Sequence, residues 1–217
     1  MISLSGELID HLQLATVELE DVDLSRDRSP LQTELAGVCE SLRQRYQGKG
    51  WLEIPGVAET RSLYKAIGLD PTKVRPSSEA LLRRILKGQS IYEVNLLVDT
   101  VNLCSLEFQL SYGVYDRDAL EPPFEARLGR TGESYAGIRK GPVHLEGRIC
   151  LADGKGPFGN PTSDSARASI SENTRRALIV IFAPNAMKQD RLARRLHQTV
   201  DRVSRFTGAR AVEVSPQ

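Results

Sequence analysis

Apolar residues recur every three or four positions in five segments of the chain, which is the spacing of one buried face of an α-helix. One segment begins at Ser29-Pro30-Leu31-Gln32, where the serine can cap a helix, the proline suits its first position and the glutamine completes a capping box. The segment 97–110 is apolar on two sides, so we predict that this helix is buried. The other predicted helices run over 57–67, from Pro76 to Gly88, and over 188–206.

Strand patterns lie between the predicted helices, at 12–22, 124–128, 143–151, 178–183 and 209–214. The run 178–183 is apolar without interruption, which indicates a central strand buried on both faces. Helices and strands mix along the chain without strict alternation. We therefore predict an α+β fold, a single domain in which the helices pack on one mixed sheet.

The composition is that of an ordinary globular chain, and it excludes several classes of protein. Of 217 residues, 40% are hydrophobic and 26% are charged. Aromatic residues make up only 6%, too few for a platform of stacked rings, and a net charge of +1 argues against a DNA duplex binder held by bulk charge. No apolar run approaches the roughly 20 residues of a membrane span, and no signal peptide is apparent. We therefore predict a cytoplasmic protein that binds neither membrane nor DNA.

Cysteine and histidine are too few and too scattered to predict a disulfide framework or a metal site. Cys39, Cys104 and Cys150 lie far apart among apolar neighbours, as small buried side chains do. The sequence contains no CxxC, HxxxH or HExxH motif. It also lacks the GxSxG motif, the P-loop and a dinucleotide-binding glycine motif. We therefore predict neither a metal nor another cofactor.

Charge is distributed unevenly along the chain. Residues 1–40 carry nine acidic and two basic side chains, whereas residues 187–210 carry seven basic and two acidic ones. In the predicted third helix, Arg83, Arg84 and Lys87 share the polar face. This face can attract tRNA phosphates, although ordinary solvated charge explains it equally well. If the basic helices bind RNA, we expect the acidic N-terminal stretch to face away from it.

Polar side chains beside buried elements are the remaining candidates for chemistry. One stretch of nine residues offers hydroxyls, the carboxylate of Asp164 and the guanidinium of Arg167, although a solvated loop that caps the next element has the same composition. Asp99 and Asn102 interrupt an apolar stretch, where one can cap a helix and the other can be a buried amide. Glu133 places a further carboxylate in a turn before a strand.

These segments carry a resemblance to a known family. Asn95-Leu-Leu-Val-Asp99-Thr-Val-Asn102, followed by Gly113-Val-Tyr115-Asp116, resembles the NxVVDVTN…HAFD pattern of the B3/B4 domain in the bacterial phenylalanyl-tRNA synthetase beta chain. Stand-alone B3/B4 proteins are more similar still, over about residues 55–185. The further motifs, in the expected order, are Arg75-Pro76-Ser77-Ser78-Glu79, Gly132-Glu133, Leu151-Ala152-Asp153 with Gly156-Pro157, and Asp164-Ser165 before Thr174.

The resemblance implies a fold of helices and strands with a cavity lined by these motifs, which in the synthetase hydrolyses tRNA carrying a wrongly attached tyrosine. It further implies that five polar residues line this cavity and bind the substrate. These are Asn102, Glu133, Asp164, Ser165 and Arg167. We accordingly expect one B3/B4-like domain over 1–217, with a strand–helix extension at 1–54, the motif-bearing core at 55–185 and a helix and strand at 186–217.

Three departures from the synthetase pattern affect the reaction. Val101 replaces a threonine, Gly113 replaces a histidine, and Arg167 falls at or beside the editing carboxylate. A guanidinium has donors only and stays protonated, so it cannot take over the role of a carboxylate. It suits a phosphate, a carboxylate or an oxyanion, and the alternative for Arg167 is a salt bridge to Asp164. We therefore expect no robust hydrolysis of tyrosine from the phenylalanine tRNA.

Two functions from different classes remain open. The first is a metal-independent hydrolase that acts in trans on mischarged aminoacyl-tRNA or a related ester, by positioning a water and hydrogen-bonding the oxyanion. In it, Asn102 would bind the amino acid or the reacting carbonyl, and Arg167 would contact the terminal adenosine or its phosphate. Glu133 or Asp164 would hold the substrate ammonium or the water. The second is a non-catalytic module that binds RNA or a small amino-acid-like ligand.

Overall fold

The computed structural model describes residues 1–138 and 141–216. Within these residues, five α-helices form where the apolar spacing predicts them. They are α1 (Ser29–Tyr46), α2 (Pro55–Ala66), α3 (Ser77–Leu86), α4 (Leu96–Phe108) and α5 (Gln189–Thr207). Glycines with positive φ follow three of them, as predicted, namely Gly68 after α2, Gly88 after α3 and Gly208 after α5.

The strands confirm part of the predicted pattern and correct the rest. They are β1 (Ile2–Leu4), β2 (Leu12–Glu20), β3 (Ser111–Asp116), β4 (Phe124–Leu128), β5 (Ser134–Ala136), β6 (Pro142–His144), β7 (Ile149–Asp153), β8 (Gly156–Gly159), β9 (Ala177–Pro184) and β10 (Arg210–Pro216). The single strand predicted at 143–151 is wrong. Gly147 adopts a φ of +67°, and the chain turns there between β6 and β7.

The α+β class is confirmed, but the strands of the described residues form more than the one sheet expected. The central sheet has the order β10-β2-β9-β3 and is antiparallel. The outer sheet has the order β1-β4-β7-β8 and is mixed, because β1 pairs with β4 in parallel. β5 and β6 form a separate hairpin. A second sheet arises because both faces of the central sheet are apolar and each needs a cover.

Strand β9 shows how the central sheet is covered. Its alternate side chains Ile179, Ile181 and Ala183 pack with α4 and α5 in one core cluster. The intervening Leu178, Val180 and Phe182 pack with the outer sheet in a second cluster. The whole strand is buried, which confirms the predicted central strand. The prediction of a buried α4 is also confirmed, since Leu103 and Cys104 are fully buried.

Two helix starts differ from the sequence prediction. Ser29 does not cap α1; its N–H and hydroxyl instead donate to the Asp27 carboxylate, at 3.0 Å and 2.8 Å. The cap of α4 is Asn95, whose side chain accepts the N–H three residues on at 2.9 Å. Asp99, a candidate for that cap, is buried and paired with Arg28.

The acidic N-terminal region contacts the basic fifth helix through Glu34, and whether this region faces away from RNA stays a prediction. Glu34 of α1 accepts a hydrogen bond from Arg202 of α5 at 2.8 Å and also pairs with Arg205. Glu107 of α4 pairs with Arg202 as well. These ion pairs accompany apolar packing between the two regions, since α1 and α5 contribute side chains to one buried cluster. Part of the positive charge of α5 is therefore neutralised within the protein.

Candidate functional site

The loop that follows β8, residues 160–166, holds a cluster of polar side chains. Asn160 Oδ1 accepts the backbone N–H groups of Thr162 at 2.7 Å and Ser163 at 2.8 Å. Its Nδ2 donates to Tyr135 Oη at 2.8 Å, and Tyr135 Oη donates to the Ser163 carbonyl at 2.6 Å. This Asx-type turn is thus tied to the β5–β6 hairpin, and its backbone is fixed.

Asp164 presents its carboxylate in the 160–166 loop. Tyr115 Oη donates to Asp164 Oδ1 at 2.7 Å, and the Asn160 N–H approaches the same oxygen at 3.3 Å. No residue within the described ranges donates a hydrogen bond to Asp164 Oδ2. One carboxylate oxygen is therefore oriented by the protein, while the other can accept a hydrogen bond from a water or a ligand as far as the described residues are concerned.

Two glycines make room for the Tyr115 hydroxyl. A Cβ atom on Gly113 would lie 2.0 Å from Tyr115 Oη, and one on Gly159 would lie 2.2 Å from it. The Tyr115 ring itself is fully buried and packs edge-on against Phe158, with ring centroids 4.9 Å apart. The glycine in place of the synthetase histidine thus has a physical reason here, because the phenol fills the space of a side chain at position 113.

The surroundings of Asp164 change its proton affinity. Burial raises the pKa of Asp164 to about 7, and the hydrogen bonds from Tyr115 and Asn160 offset only part of that rise. Burial, with the nearby Asp164 charge, also raises the pKa of the Tyr115 phenol well above its ordinary value, so the phenol remains a donor. A carboxyl with a pKa near 7 is present in both forms at neutral pH, as a general acid or base requires.

Of the five predicted substrate-binding residues, Asp164 and Ser165 lie side by side in the 160–166 loop. Ser165 is 1% exposed, and its Oγ has no hydrogen-bond partner among the described residues. Asn102 lies on α4 and is half-buried, and its side chain makes no hydrogen bond to a described residue. The shared cavity predicted for these residues stays a prediction.

Glu133 is held by a buried arginine. Arg127 donates from Nη1 and Nη2 to the two carboxylate oxygens of Glu133, each at 2.7 Å. The backbone N–H of Arg130 adds a third hydrogen bond at 2.8 Å. The hydrogen bonds from Arg127 hold the pKa of Glu133 below its ordinary value, so this carboxylate is ionised and already paired. Its role in substrate binding stays a prediction.

Arg167 binds Asp153, so the alternative of a salt bridge to Asp164 is wrong. Its Nη1 and Nη2 donate to the two carboxylate oxygens of Asp153 at 3.0 Å and 2.9 Å. It also donates to the carbonyls of Ala119 at 3.1 Å and Gly156 at 3.2 Å. The pairing has a clear cause, because the Asp153 side chain is 0% exposed and needs a counter-charge, whereas Asp164 is bound by Tyr115.

Replacing Arg167 by alanine is therefore expected to destabilise the protein, because it leaves the Asp153 carboxylate buried without its cation. Since Arg167 is partly exposed, we expect about 1–2 kcal/mol, less than for a fully buried pair. For a chain of this size, the Tm should fall by about 2–8 °C in a thermal unfolding experiment. In the Asp153→Asn background the same replacement should cost much less. Equal losses in both backgrounds would show that the Asp153 pair is not what Arg167 stabilises.

The predicted RNA-binding residues of α3 lie near aromatic rings. The guanidinium carbon of Arg83 lies 3.9 Å from the centroid of the Trp51 ring, and Arg83 Nε donates a hydrogen bond to Glu79 Oε1 at 2.8 Å. The guanidinium carbon of Arg84 lies 3.8 Å from the centroid of the Tyr92 ring, and Arg84 Nη1 donates a hydrogen bond to the Tyr92 hydroxyl at 2.7 Å. Lys87 is exposed. Since both arginines have partners within the protein, RNA binding by this face stays a prediction.

Three polar residues hold the site together, and none of them was predicted to be a site residue, although Tyr115 lies in a motif that carries the resemblance. Asn160 has a recognisable signal, because an asparagine followed by proline favours a turn that its own side chain closes. The hydrogen bonds of Tyr115 and Tyr135 have no comparable local signal in the sequence. Their partners lie 49 and 25 positions away along the chain, so only the tertiary fold brings them together.

The described residues thus adopt an α+β fold in which Asp164, a carboxyl with a raised pKa, lies in the loop 160–166. A family model of the B3/4 domain matches residues 59–214. The chain belongs to the B3/4 domain family, which confirms the resemblance carried by its motifs.

A solved structure of an N-terminal fragment of the phenylalanyl-tRNA synthetase beta-subunit from Pyrococcus horikoshii is similar to this chain, with a TM-score of 0.49 and 13% sequence identity. The similarity covers 97% of this chain and 50% of that chain, so this chain spans about half the length of the fragment. No curated protein matches the chain.

Among the helices of residues 1–138 and 141–216, none is both long and apolar enough to cross a membrane. The same residues contain no group of three or more His, Cys, Asp or Glu side chains that could hold a metal ion.

Proposed function

We propose that the chain binds the aminoacyl end of a tRNA, or a related aminoacyl ester, and hydrolyses the ester in trans without a metal. The carboxyl of Asp164 carries this proposal, because its pKa is raised to about 7 while Tyr115 fixes one of its oxygens. Membership in the B3/4 domain family supports the ligand class, since the synthetase domain that the motifs resemble hydrolyses mischarged tRNA.

In the proposed reaction, a water bound to Asp164 Oδ2 attacks the ester carbonyl carbon while the ionised carboxylate accepts the proton of the water. The protonated carboxyl then returns this proton to the ribose oxygen as the ester C–O bond breaks, which yields a free amino acid and a tRNA with a free hydroxyl. Tyr115 is a positioning residue that keeps Oδ1 occupied. An aminoacyl ester is labile, so orienting the water supplies much of the rate.

The non-catalytic module remains the second candidate, and one observation favours it. Glu133 and Arg167, two of the residues predicted to bind the substrate, are each held by a salt bridge within the protein. A site in which Glu133 and Arg167 do not contact the ligand can bind RNA or an amino-acid-like ligand without catalysing a reaction. The roles predicted for Asn102 and Ser165 are compatible with either function.

A deacylation screen over a panel of aminoacylated tRNAs separates the two candidates. We expect a protein-dependent rate on at least one of them that rises about tenfold per pH unit below pH 7 and levels off above it, because only the ionised carboxylate accepts a proton. The tyrosine ester of the phenylalanine tRNA should not be hydrolysed. Tight tRNA binding with no turnover at any pH would support the non-catalytic module instead.

A further inference from the structure

A cluster of arginines surrounds one buried carboxylate beside the 160–166 loop. Glu79 of α3 is 1% exposed. Arg61 donates to both of its carboxylate oxygens, from Nε and Nη2, each at 2.8 Å. Arg83 donates from Nε to Glu79 Oε1 at 2.8 Å, and Arg75 Nε lies 3.7 Å from the same oxygen. We call Arg61, Arg75, Arg83 and Glu79 the arginine cluster.

The arginine cluster carries more positive charge than its carboxylate can neutralise. Although burial raises the pKa of Glu79, the hydrogen bonds from Arg61 and Arg83 hold it below the ordinary value, so Glu79 is ionised. Within the cluster, one negative charge faces three guanidinium groups, and Asp70 adds a second, weaker interaction with Arg61, so positive charge stays in excess. An anion that entered the cluster would balance this excess.

Arg75 is the member of the arginine cluster that is free to take a ligand. Its side chain is 42% exposed, and it makes no hydrogen bond to any described residue. Arg75 is not needed to neutralise the buried Glu79 carboxylate, because Arg61 already forms a bidentate pair with it. The Nη1 and Nη2 groups of Arg83 likewise have no hydrogen-bond partner among the described residues. The outer side of the cluster therefore presents unused donors in the fork geometry that suits phosphate.

Hydrogen-bond contacts connect the elements that carry the arginine cluster to the 160–166 loop of the candidate site. The N–H of Ser77, two residues after Arg75, donates to the carbonyl of Pro161 at 3.0 Å. From α2, the Tyr64 hydroxyl is 3.2 Å from Thr162 Oγ1. Both contacts are made to the loop that carries Asp164, so the first turn of α3 and helix α2 are each hydrogen-bonded to this loop. An anionic group bound by Arg75 would be held at a fixed place relative to the reacting carboxyl.

We propose that the arginine cluster is a phosphate-binding subsite, in which Arg75 and Arg83 hold a phosphate of the nucleotide that bears the ester. This inference rests on the proposed function for the identity of the nucleotide, whereas the phosphate chemistry follows from the excess of guanidinium donors. The subsite gives the ligand a second attachment point next to the Asp164 loop. It also places the anionic end of the ligand away from Arg167, whose donors are engaged with Asp153.

Trp51 provides a direct test, because it is the one tryptophan in the sequence and the Arg83 guanidinium lies 3.9 Å from its ring centroid. Titration of the full chain with adenosine monophosphate or inorganic phosphate should change Trp51 fluorescence in a saturable way. Adenosine and potassium chloride at matched ionic strength should not. Arg75→Gln should weaken phosphate binding about tenfold or more, the effect of losing a charged hydrogen bond.

A matched variant controls for the loss of charge. Arg45→Gln removes one positive charge from an exposed position of α1, outside the arginine cluster, and should bind the nucleotide as the parent protein does. Because Arg75 makes no hydrogen bond to a described residue, Arg75→Gln should fold with an unchanged Tm. Equal affinity for the nucleotide in Arg75→Gln and the parent protein, or the same fluorescence change with chloride alone, would overturn the subsite.

The same proteins separate this inference from the proposed function. Saturable binding of adenosine monophosphate that depends on Arg75, in a protein that hydrolyses no aminoacyl-tRNA, would support the subsite and contradict the hydrolase. Hydrolysis that proceeds equally well in Arg75→Gln, with no measurable nucleotide binding, would support the hydrolase and overturn the subsite.

Discussion

The Asp164→Asn variant should hydrolyse aminoacyl-tRNA at least about 100 times more slowly than the parent protein, and should be more stable than it at alkaline pH. The asparagine amide keeps an oxygen that can accept the hydrogen bond from Tyr115. It cannot ionise, however, so it neither takes a proton from water nor places a charge in a desolvated site.

The stability difference has a defined pH window. The pKa of Asp164 is about 7 in the folded protein, against about 3.9 in the unfolded chain. Between these values the folded protein holds a proton that the unfolded chain has lost, so the parent protein loses stability relative to the variant as the pH rises from about 4 to about 7. Above pH 7 the difference should stay constant; the gap between the two pKa values sets an upper bound of about 4 kcal/mol, and we expect at least about 1 kcal/mol, or about 2–4 °C in Tm.

Thermal unfolding of both proteins at about pH 5 and about pH 8 measures this difference. Asp201→Asn is a suitable control, because it removes a carboxylate from an exposed position of α5. The control should show the same Tm difference from the parent protein at both pH values. If Asp164→Asn also shows no dependence on pH, the carboxyl of Asp164 is not the desolvated group that the proposed function needs.

Replacing Gly113 by alanine is expected to destabilise the protein by about 3 kcal/mol, which lowers the Tm by about 6–12 °C. The new Cβ would lie 2.0 Å from Tyr115 Oη, and the Tyr115 ring is fully buried, so it has no space into which to move. Displacing the phenol would also remove the hydrogen bond that orients Asp164. The loss of stability should therefore be accompanied by a loss of any hydrolytic activity.

Two comparisons test whether the clash with Tyr115 is the cause. Gly37→Ala, at an exposed position of α1 with no atom within 4 Å of the new Cβ, should stabilise the protein by up to about 1 kcal/mol. In the Tyr115→Ala background, Gly113→Ala should cost little, because the clashing ring is gone. A full cost in that background would place the strain somewhere other than at Tyr115.

The helices and the buried strands could be predicted because their signals are local. The spacing of apolar residues in α1, α4 and α5 and the unbroken run of β9 each lie within one element. Strands β3 and β8 were missed, since their sequences, SYGVYD and GPFG, contain glycine and proline, which disfavour strands. Pairing with β9 and β7 overrides those local preferences.

The candidate site was predicted less completely, because its properties depend on contacts between residues that are distant in the sequence. The polar segment around Asp164 was identified from composition and resemblance, but its proton affinity depends on burial and on the Tyr115 hydroxyl. The partner of Arg167 was misjudged because sequence proximity favoured Asp164, whereas the fold brings Asp153 from the end of β7. Side chains that are distant in the sequence decide which polar groups remain available.

The pairing of the central sheet also governs when the chain can fold during translation. Strand β2 hydrogen-bonds only to β9 and β10 within the described residues, and Leu19 pairs with Ala177. About 160 residues therefore separate β2 from its earliest partner. At roughly 5–20 residues per second, the ribosome takes about 8–30 s to synthesise them. Through that interval the apolar side chains of β2 emerge without their sheet and stay exposed to water.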